Sequence, residues 1–436
     1  DKLDHQSLSQ SFQYLVELHD ALRLRFDNTN GQWHQYNPDS VKHEIFSIQR
    51  LTAEDGKLPQ DEIRQATLEM QASLDIEAGT LIKARLFCVD DPTPDQLLIV
   101  VHHLVVDGVS WRILLEDLHN FYGQLASKKP LQMPSKTSSW KAWTENLKDA
   151  ASTAKIMQDT EYWLRIAKTK TAQLPVDFAG TQNTEASSEW VTSALSTEDS
   201  EQLLERASKV WHTSINEVLL AAFSTAIFAD NNELPVLFDV EGHGREDLFG
   251  DADVSRTVGW FTSLYPLLLC GDNADSPLAT IKKAKLALRG VPHKGMSYGL
   301  IRYLSEDPCV RDELRLSQQA SISFNYLGQL DGALKHSAYF DGVLDSLVSD
   351  RSLQQQRQYM LEITSYFAGG QLRLNIKFSR NIHQRARIES MMERAVQFIA
   401  TSLADSQNFH TQPLSPGDFP LAEQVLEKQD LSLIHI

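Results

Sequence analysis

Val100-Val101-His102-His103-Leu104-Val105-Val106-Asp107-Gly108 is the stretch from which this chain is read. The apolar run leading into it, Leu97 to Val101, has the length and composition of a buried strand inside a sheet. Two histidines close the run, and Asp107 and Gly108 follow. The next residues, Val109-Ser110-Trp111-Arg112-Ile113-Leu114-Leu115-Glu116-Asp117-Leu118, space their apolar side chains as an amphipathic helix does. The histidines therefore fall where a strand gives way to a loop, with rigid elements on both sides. Mixed α/β proteins usually carry their chemistry at such places.

The two histidines are expected to differ in role. Adjacent residues at a strand end point to opposite faces, so one imidazole turns inward and the other toward any cleft. Histidine titrates near neutrality and suits proton transfer. The plain alternative is that both are satisfied core histidines. Asp107 and Gly108 weigh against it, because they add a carboxylate and a permissive backbone at the following turn. A metal site is less favoured, since the chain has neither HExxH nor CxxC.

With 436 residues the chain is long for one core, and two domains or lobes are expected. A hydrophobic fraction of 42% and a charged fraction of 23% place it among ordinary soluble globular proteins. The net charge of −17 argues against nucleic acid and against anionic membrane surfaces. Cys88, Cys270 and Cys309 are odd in number and far apart, which points to a reducing, cytoplasmic setting without a disulfide framework. No apolar run is long enough for a membrane span. The N-terminus lacks a signal-peptide pattern and an initial Met, so the chain is expected to be a segment of something larger.

Helical periodicity runs from Ser9 to Phe26, from about Gln60 to Ser73, from Trp140 to Leu147 and around Thr160 to Ala167. Strands are expected over His43 to Leu51 and Thr80 to Val89. The polar stretch Lys168 to Ser188 is taken as a connection between lobes. Helix signals return at Ser196 to Ala207, where Ser196 and Asp199 form a cap pattern, and at Thr213 to Phe228. Pro235 to Val240 is a short strand leading into Glu241-Gly242-His243-Gly244-Arg245-Glu246, which puts an acid on a tight turn. Tyr359 to Phe367 and Gln371 to Ser379, joined through Gly369-Gly370, form a hairpin signal, and a last helix spans about Gln384 to Leu403.

His102-His103-x-x-x-Asp107-Gly108 resembles the HHxxxDG signature of the condensation-domain superfamily of nonribosomal peptide synthetases, and HHLVVDGVSWRILLEDL is similar to its epimerization branch. EGHGRE at Glu241 to Glu246 and RTVGWFTSLYP at Arg256 to Pro266 resemble the epimerization forms of two further motifs. His19-Asp20-Ala21-Leu22-Arg23-Leu24-Arg25-Phe26 is similar to HxxLRxxF, Ile215 to Phe223 to a third motif also readable as plain core, Pro292 to Gly299 to PxxGxxYG, and Phe324 to Gln329 to FNYLGQ. The family's usual first motif is not found. The resemblance covers about Ser9 to Ser415.

For the fold, the resemblance implies an α/β (α+β) architecture: two chloramphenicol-acetyltransferase-like lobes in a V-shaped pseudo-dimer, with the site in the tunnel between them. The expected division is 1–168, an N-terminal lobe with HHxxxDG; 169–190, a linker; 191–410, a C-terminal lobe with EGHGRE, RTVGWFTSLYP and FNYLG; and 411–436, an exit linker. For the activity it implies an epimerase that interconverts L and D configuration at Cα of an aminoacyl or peptidyl thioester, with His103 and Glu241 as the proton-transfer groups. His102, Asp107 and Gly108 are expected to support the loop, with Arg23 pairing to Asp107 or Arg25 taking its place. Asn325, Tyr326, Trp260, Tyr265 and Ser110 are expected near the substrate, and Asn325 or Tyr326 to hydrogen-bond its carbonyl.

No pyridoxal phosphate, metal or nicotinamide is called for. The substrate is expected on the 4'-phosphopantetheine of an acidic upstream carrier domain, with a condensation domain downstream and the excised chain monomeric. Two rivals share the fold: a condensation domain forming a peptide bond and a non-catalytic recruitment domain. An acyltransferase using diffusible acyl-CoA fits the histidine and leaves the glutamate motif unexplained.

Overall fold

The structure, a computed structural model, describes residues 3–41, 43–52, 59–89, 94–179, 182–229, 234–246, 248, 252–270, 276–329, 339–340 and 348–405. The exit linker expected over 411–436 lies outside the described residues. The chain divides into two compact units, the first made of Asp1–Leu147, Asp247–Thr262 and Asp331–Arg351, the second of Lys148–Glu246, Ser263–Leu330 and Ser352–Ile436. The first part of the RTVGWFTSLYP segment thus belongs to the same unit as the paired histidines, although some 150 residues of chain lie between them.

The first unit contains α1 (His5–Leu18), the hairpin β1 (Arg25–Thr29) and β2 (Gln32–Tyr36), then β3 (Phe46–Leu51), α2 (Gln60–Ala72), β4 (Ile82–Val89), β5 (Gln96–Val101) and α3 (Gly108–Ala126), with α4 (Trp140–Ala150) leading out of it. Strand order is β3-β4-β5, with β3 parallel and β5 antiparallel to β4. β5 is therefore an edge and is only half-buried, not the fully buried interior strand its apolar run suggests. The core forms where α1 turns Leu8, Phe12, Leu15 and Val16 toward Leu114, Leu118 and Phe121 of α3. Both sets follow the helical repeat that builds one apolar stripe. Helix α1 stops at Leu18, short of the expected Phe26, because His19 is extended (φ −96, ψ 102) and Asp20–Arg23 forms a separate 3-10 turn.

The second unit holds α5 (Ala154–Met157), α6 (Thr160–Lys168), β6 (Ser188–Ala194), α7 (Thr197–Lys209), α8 (Ile215–Phe228), β7 (Val236–Gly242), β8 (Ser263–Leu269), α9 (Pro277–Arg289), α10 (Met296–Leu304), α11 (Pro308–Leu316), β9 (Ile322–Gln329), β10 (Leu361–Ala368), β11 (Gln371–Ser379) and α12 (Arg385–Asp405). Its sheet runs β6-β11-β10-β9-β7-β8, with β10/β9 and β9/β7 parallel and the other pairs antiparallel. Helix α8 is apolar nearly all round and is buried nearly all round, packed by α9 and α12. Ser196 and Ser214 cap α7 and α8 through their hydroxyls, so both N-termini are satisfied locally. The expected hairpin is β10–β11, with Gly369 and Gly370 at φ 60 and 75, the sign its two-residue turn requires. Among the described residues no helix is long and apolar enough to cross a membrane.

One buried group gives the second unit a pH dependence. His383, between β11 and α12, is 2% exposed, and neither ring nitrogen meets a hydrogen-bond partner. Burial lowers its pKa, Arg387 and Arg357 add to the effect, and Asp177 opposes it. Below the unfolded value of 6.5 the unfolded chain takes up a proton that the native state resists, so stability falls as pH drops through that value. Denaturant unfolding at neutral pH and about one unit below the unfolded value is expected to cost the wild type up to about 1.4 kcal/mol more than His383→Leu. Equal losses in the two proteins contradict this assignment.

Candidate functional site

The site in the first unit is built where β5 ends. The His102 N–H donates to Leu81 O at 2.8 Å, closing the last strand contact. The His102 ring then turns back, its Nδ1 accepting from Leu104 N at 3.2 Å, which makes it the cap of the 3-10 turn His103–Val105. Burial, and then the charge of the neighbouring His103, hold the His102 pKa below the ordinary histidine value. His103 is exposed, and its ring packs edge-on against Trp260, with centroids 4.8 Å apart and planes at 61°. The adjacent histidines thus face different surroundings, as strand-end geometry requires.

Asp107 follows as the N-cap of α3 in extended conformation (φ −132, ψ −179). Its Oδ1 accepts from Ser110 N at 2.7 Å and its Oδ2 from Phe261 N at 3.0 Å. Ser110, expected near the substrate, is instead 0% exposed: its Oγ donates to Gly259 O at 2.9 Å and accepts from Gly259 N at 3.1 Å. Gly259 has no room for a side chain, because a Cβ there lies 2.6 Å from Trp140 Cε3. Phe261 is buried against Trp140 and Trp143. Trp260, between these two anchored neighbours, remains 43% exposed.

Arg23 does not pair with Asp107. Its guanidinium donates to Val16 O at 2.5 Å, Glu17 O at 2.8 Å, Pro38 O at 3.2 Å and Asp20 Oδ1 at 2.7 Å, closing the end of α1. Arg25, the other candidate, donates to the carbonyls of Arg23, Leu24 and Gly79. Both arginines are absorbed by backbone carbonyls that the helix end and the Gly79 turn leave without partners. A fully buried carboxylate that draws basic side chains in this unit is Asp117, 1% exposed, which meets His19 Nε2 at 3.0 Å and Arg256 Nη2. Arg256 also bonds Glu116 at 2.9 Å. Asp117 escaped sequence reasoning, yet it sits on the buried stripe of α3 with Ile113, Leu114, Leu118 and Phe121, and a carboxylate on such a stripe signals a long-range partner.

In the second unit the acid lies at the carboxyl end of β7. The parallel register pairs Phe238 with Ile322, Asp239 with Ser323 and Val240 with Phe324, and its next step sets Glu241 beside Asn325. Asn325 Nδ2 donates to Glu241 Oε2 at 2.5 Å, so the amide expected to meet a substrate carbonyl holds the glutamate instead. Tyr326 is half-buried one residue further on. Asp239, on the same face of β7 as Glu241, accepts from the Tyr359 hydroxyl at 2.9 Å, and burial raises its pKa.

Beyond Glu241 the turn is braced on both flanks. His243 Nδ1 accepts from Arg245 N at 3.0 Å, so its proton sits on Nε2, which lies 3.1 Å from Glu246 Oε1. Lys294 Nζ donates to Glu246 Oε2 at 2.8 Å, and His293 Nδ1 lies 2.7 Å from Asp159 Oδ2. His293, Lys294 and Gly295 all have positive φ (46, 50 and 88), and a Cβ on Gly295 lies 1.9 Å from the Tyr265 ring. Tyr265 is buried under that turn, and burial raises its hydroxyl pKa.

A double-mutant cycle checks the Arg23 assignment. Arg23→Met combined with Asp107→Ala is expected to show a coupling below about 0.5 kcal/mol, whereas Arg256→Met with Asp117→Asn couples by more than that. Coupling of the first pair as large as the second contradicts the contacts described here.

Comparison with known proteins places this architecture. The condensation-domain family profile matches residues 1–420. Linear gramicidin synthase subunits C and B of Brevibacillus parabrevis are each 38% identical to the chain, over 93% and 97% of it. The chain spans only 5% and 8% of the length of those two relatives. The crystal structure of the epimerization domain from the third module of tyrocidine synthetase B superposes with a TM-score of 0.83 at 32% identity, covering 93% of this chain and 90% of that one. The X-domain from teicoplanin biosynthesis, at 14% identity and a TM-score of 0.70 over 93% of this chain and 88% of its own, shares the fold. The mixed α/β fold is that of condensation-type domains, and the chain belongs to the condensation-domain family of nonribosomal peptide synthetases.

Proposed function

We propose that this chain interconverts the L and D configurations at Cα of an aminoacyl or peptidyl thioester, with His103 and Glu241 as the two proton-transfer groups. The observation that carries the reading is Glu241, a carboxylate at a strand end with one oxygen held by Asn325, in a chain that also displays an exposed His103. Inverting Cα takes a proton from one face and returns one to the other, so two groups able to titrate are required. Joining an acyl group to an amine makes no comparable demand for a carboxylate. The likeness to a domain described as an epimerization domain supports the same reading.

The chemistry balances without a further reagent. One group takes the α-proton and the C–H electron pair moves into an enolate delocalised over the thioester carbonyl. The other group then donates its proton to the opposite face. Each turnover leaves one group protonated and the other deprotonated, and exchange with water restores both. Solvent hydrogen is therefore written into Cα.

The substrate arrives on the 4'-phosphopantetheine of an upstream carrier domain of the same synthetase, and the product passes to a condensation domain downstream. The lengths of the gramicidin synthase relatives are consistent with such neighbours. His102, Asp107 and Gly108 hold the loop that presents His103, and Trp260 and Tyr326 are read as substrate-proximal.

The test uses an L-aminoacyl or L-peptidyl thioester on a cognate carrier, with chiral analysis of the released acid. Wild type is expected to yield a mixture of L and D products. His103→Ala and Glu241→Gln are each expected to lower that rate on the order of 10²- to 10⁴-fold. Amide formation with an offered amine at unchanged configuration supports the condensation reading instead, and inertness with a competent carrier supports the recruitment reading.

A further inference from the structure

The backbone around Trp260 is held far more tightly than its side chain needs. On one side, Gly259 is fixed through both its N–H and its carbonyl by the Ser110 hydroxyl. On the other, the Phe261 N–H is fixed by Asp107, and its ring is sandwiched near Trp140 and Trp143. Further up the segment, Thr257 Oγ1 donates to Ser138 O at 2.6 Å, and Arg256 reaches Glu116 and Asp117. Val258 enters the core. Residue 260 alone among 258–261 leaves its side chain substantially in solvent, and it is the largest of the four. Core packing does not account for an indole gripped on both sides and then displayed outward.

What the indole meets is His103. The His103 backbone is set by the 3-10 turn, where its carbonyl accepts from Val106 N at 3.5 Å. Nothing in that turn fixes the ring torsion, which for an imidazole is broad, and an exposed side chain left to itself flips among rotamers on the ps–ns scale. An edge-on aromatic contact at 4.8 Å removes that freedom.

We infer that Trp260 is a positioning residue that sets the ring plane of His103, and that Asp107 and Ser110 act through Phe261 and Gly259 to hold it there. The residues that start helix α3 and the residues that carry the indole are thus one mechanical unit: the cap that begins the helix also places the wall against the histidine. This inference rests on His103 acting in the reaction proposed above. Its contact claim stands independently of that.

The experiment uses the full chain with labelled histidine. His103 ring resonances are assigned by their loss in His103→Gln. In the wild type they are expected to carry a ring-current displacement from the indole. Trp260→Leu abolishes the displacement, Trp260→Phe keeps part of it, and Ser110→Ala reduces it with the indole still present. In the carrier-thioester assay, Trp260→Leu is expected to lower kcat about tenfold while the KM for the loaded carrier moves less than about twofold, and Trp260→Phe recovers most of the loss. Unmoved His103 resonances in Trp260→Leu overturn the contact. Moved resonances with kcat within about twofold of wild type overturn the positioning role. If the wild type leaves Cα untouched, the proposed reaction falls, and the resonance shifts in Trp260→Leu and Ser110→Ala still decide whether the indole holds the histidine.

Discussion

Two hydrogen bonds to one buried carboxylate organise the first unit. Asp107 accepts from Ser110 N, which begins α3, and from Phe261 N, which anchors a segment 154 residues away. A helix N-terminus leaves backbone N–H groups without partners, and a buried carboxylate needs donors, so each solves the other's problem. The remaining oxygen is what reaches across to the distant segment. From that single cap follow the place where the helix starts, the turn that exposes His103 and the line along which residues 256–261 lie against α3.

The second unit reaches a similar end by different means. Its acid is carried on a strand rather than before a helix, and the parallel register of β7 and β9 brings Asn325 to Glu241. The turn after Glu241 has no helix to lean on. It is braced by ion pairs, with Glu246 between His243 and Lys294, and by the left-handed run His293–Gly295 closed over Tyr265. Such a run stores strain, which persists where surrounding contacts over-determine the backbone. Glu246 and the Asp159–His293 pair supply those contacts.

Much of this is legible in the sequence, and what is not depends on which partner each side chain meets. The paired histidines at a strand end, the helix expected from Val109 (α3, from Gly108), the β10–β11 hairpin and the buried α8 are all set by local pattern, and all appear. Helix α1 ends short of its periodicity because His19 leaves helical geometry for a partner 98 residues away, Asp117. The resemblance pairs Arg23 with Asp107, whereas the carbonyls at the end of α1 absorb it. Ser110 read as a polar residue near a site and proved to be a fully buried brace. For His19 and Ser110 the deciding partner lies elsewhere in the fold, and local periodicity carries no record of it; for Arg23 it lies in the adjacent helix end. The buried His19–Asp117–Arg256 cluster belongs to the same class: desolvation offsets much of its attraction, so its contribution is to fix which segments meet.

The central claim is that two groups on opposite faces of Cα exchange protons through an enolate. The most direct test follows the first turnovers in deuterium oxide from an all-L thioester and reads deuterium separately in recovered L and newly formed D material. With two groups, the one facing the D side carries solvent deuterium from the outset and labels the D product, while the α-proton taken by the other is returned before it exchanges and leaves recovered L as protium at early times. Equal early labelling of recovered L and new D contradicts the two-group account and points to a single group serving both faces. An unlabelled Cα with amide product contradicts epimerisation itself.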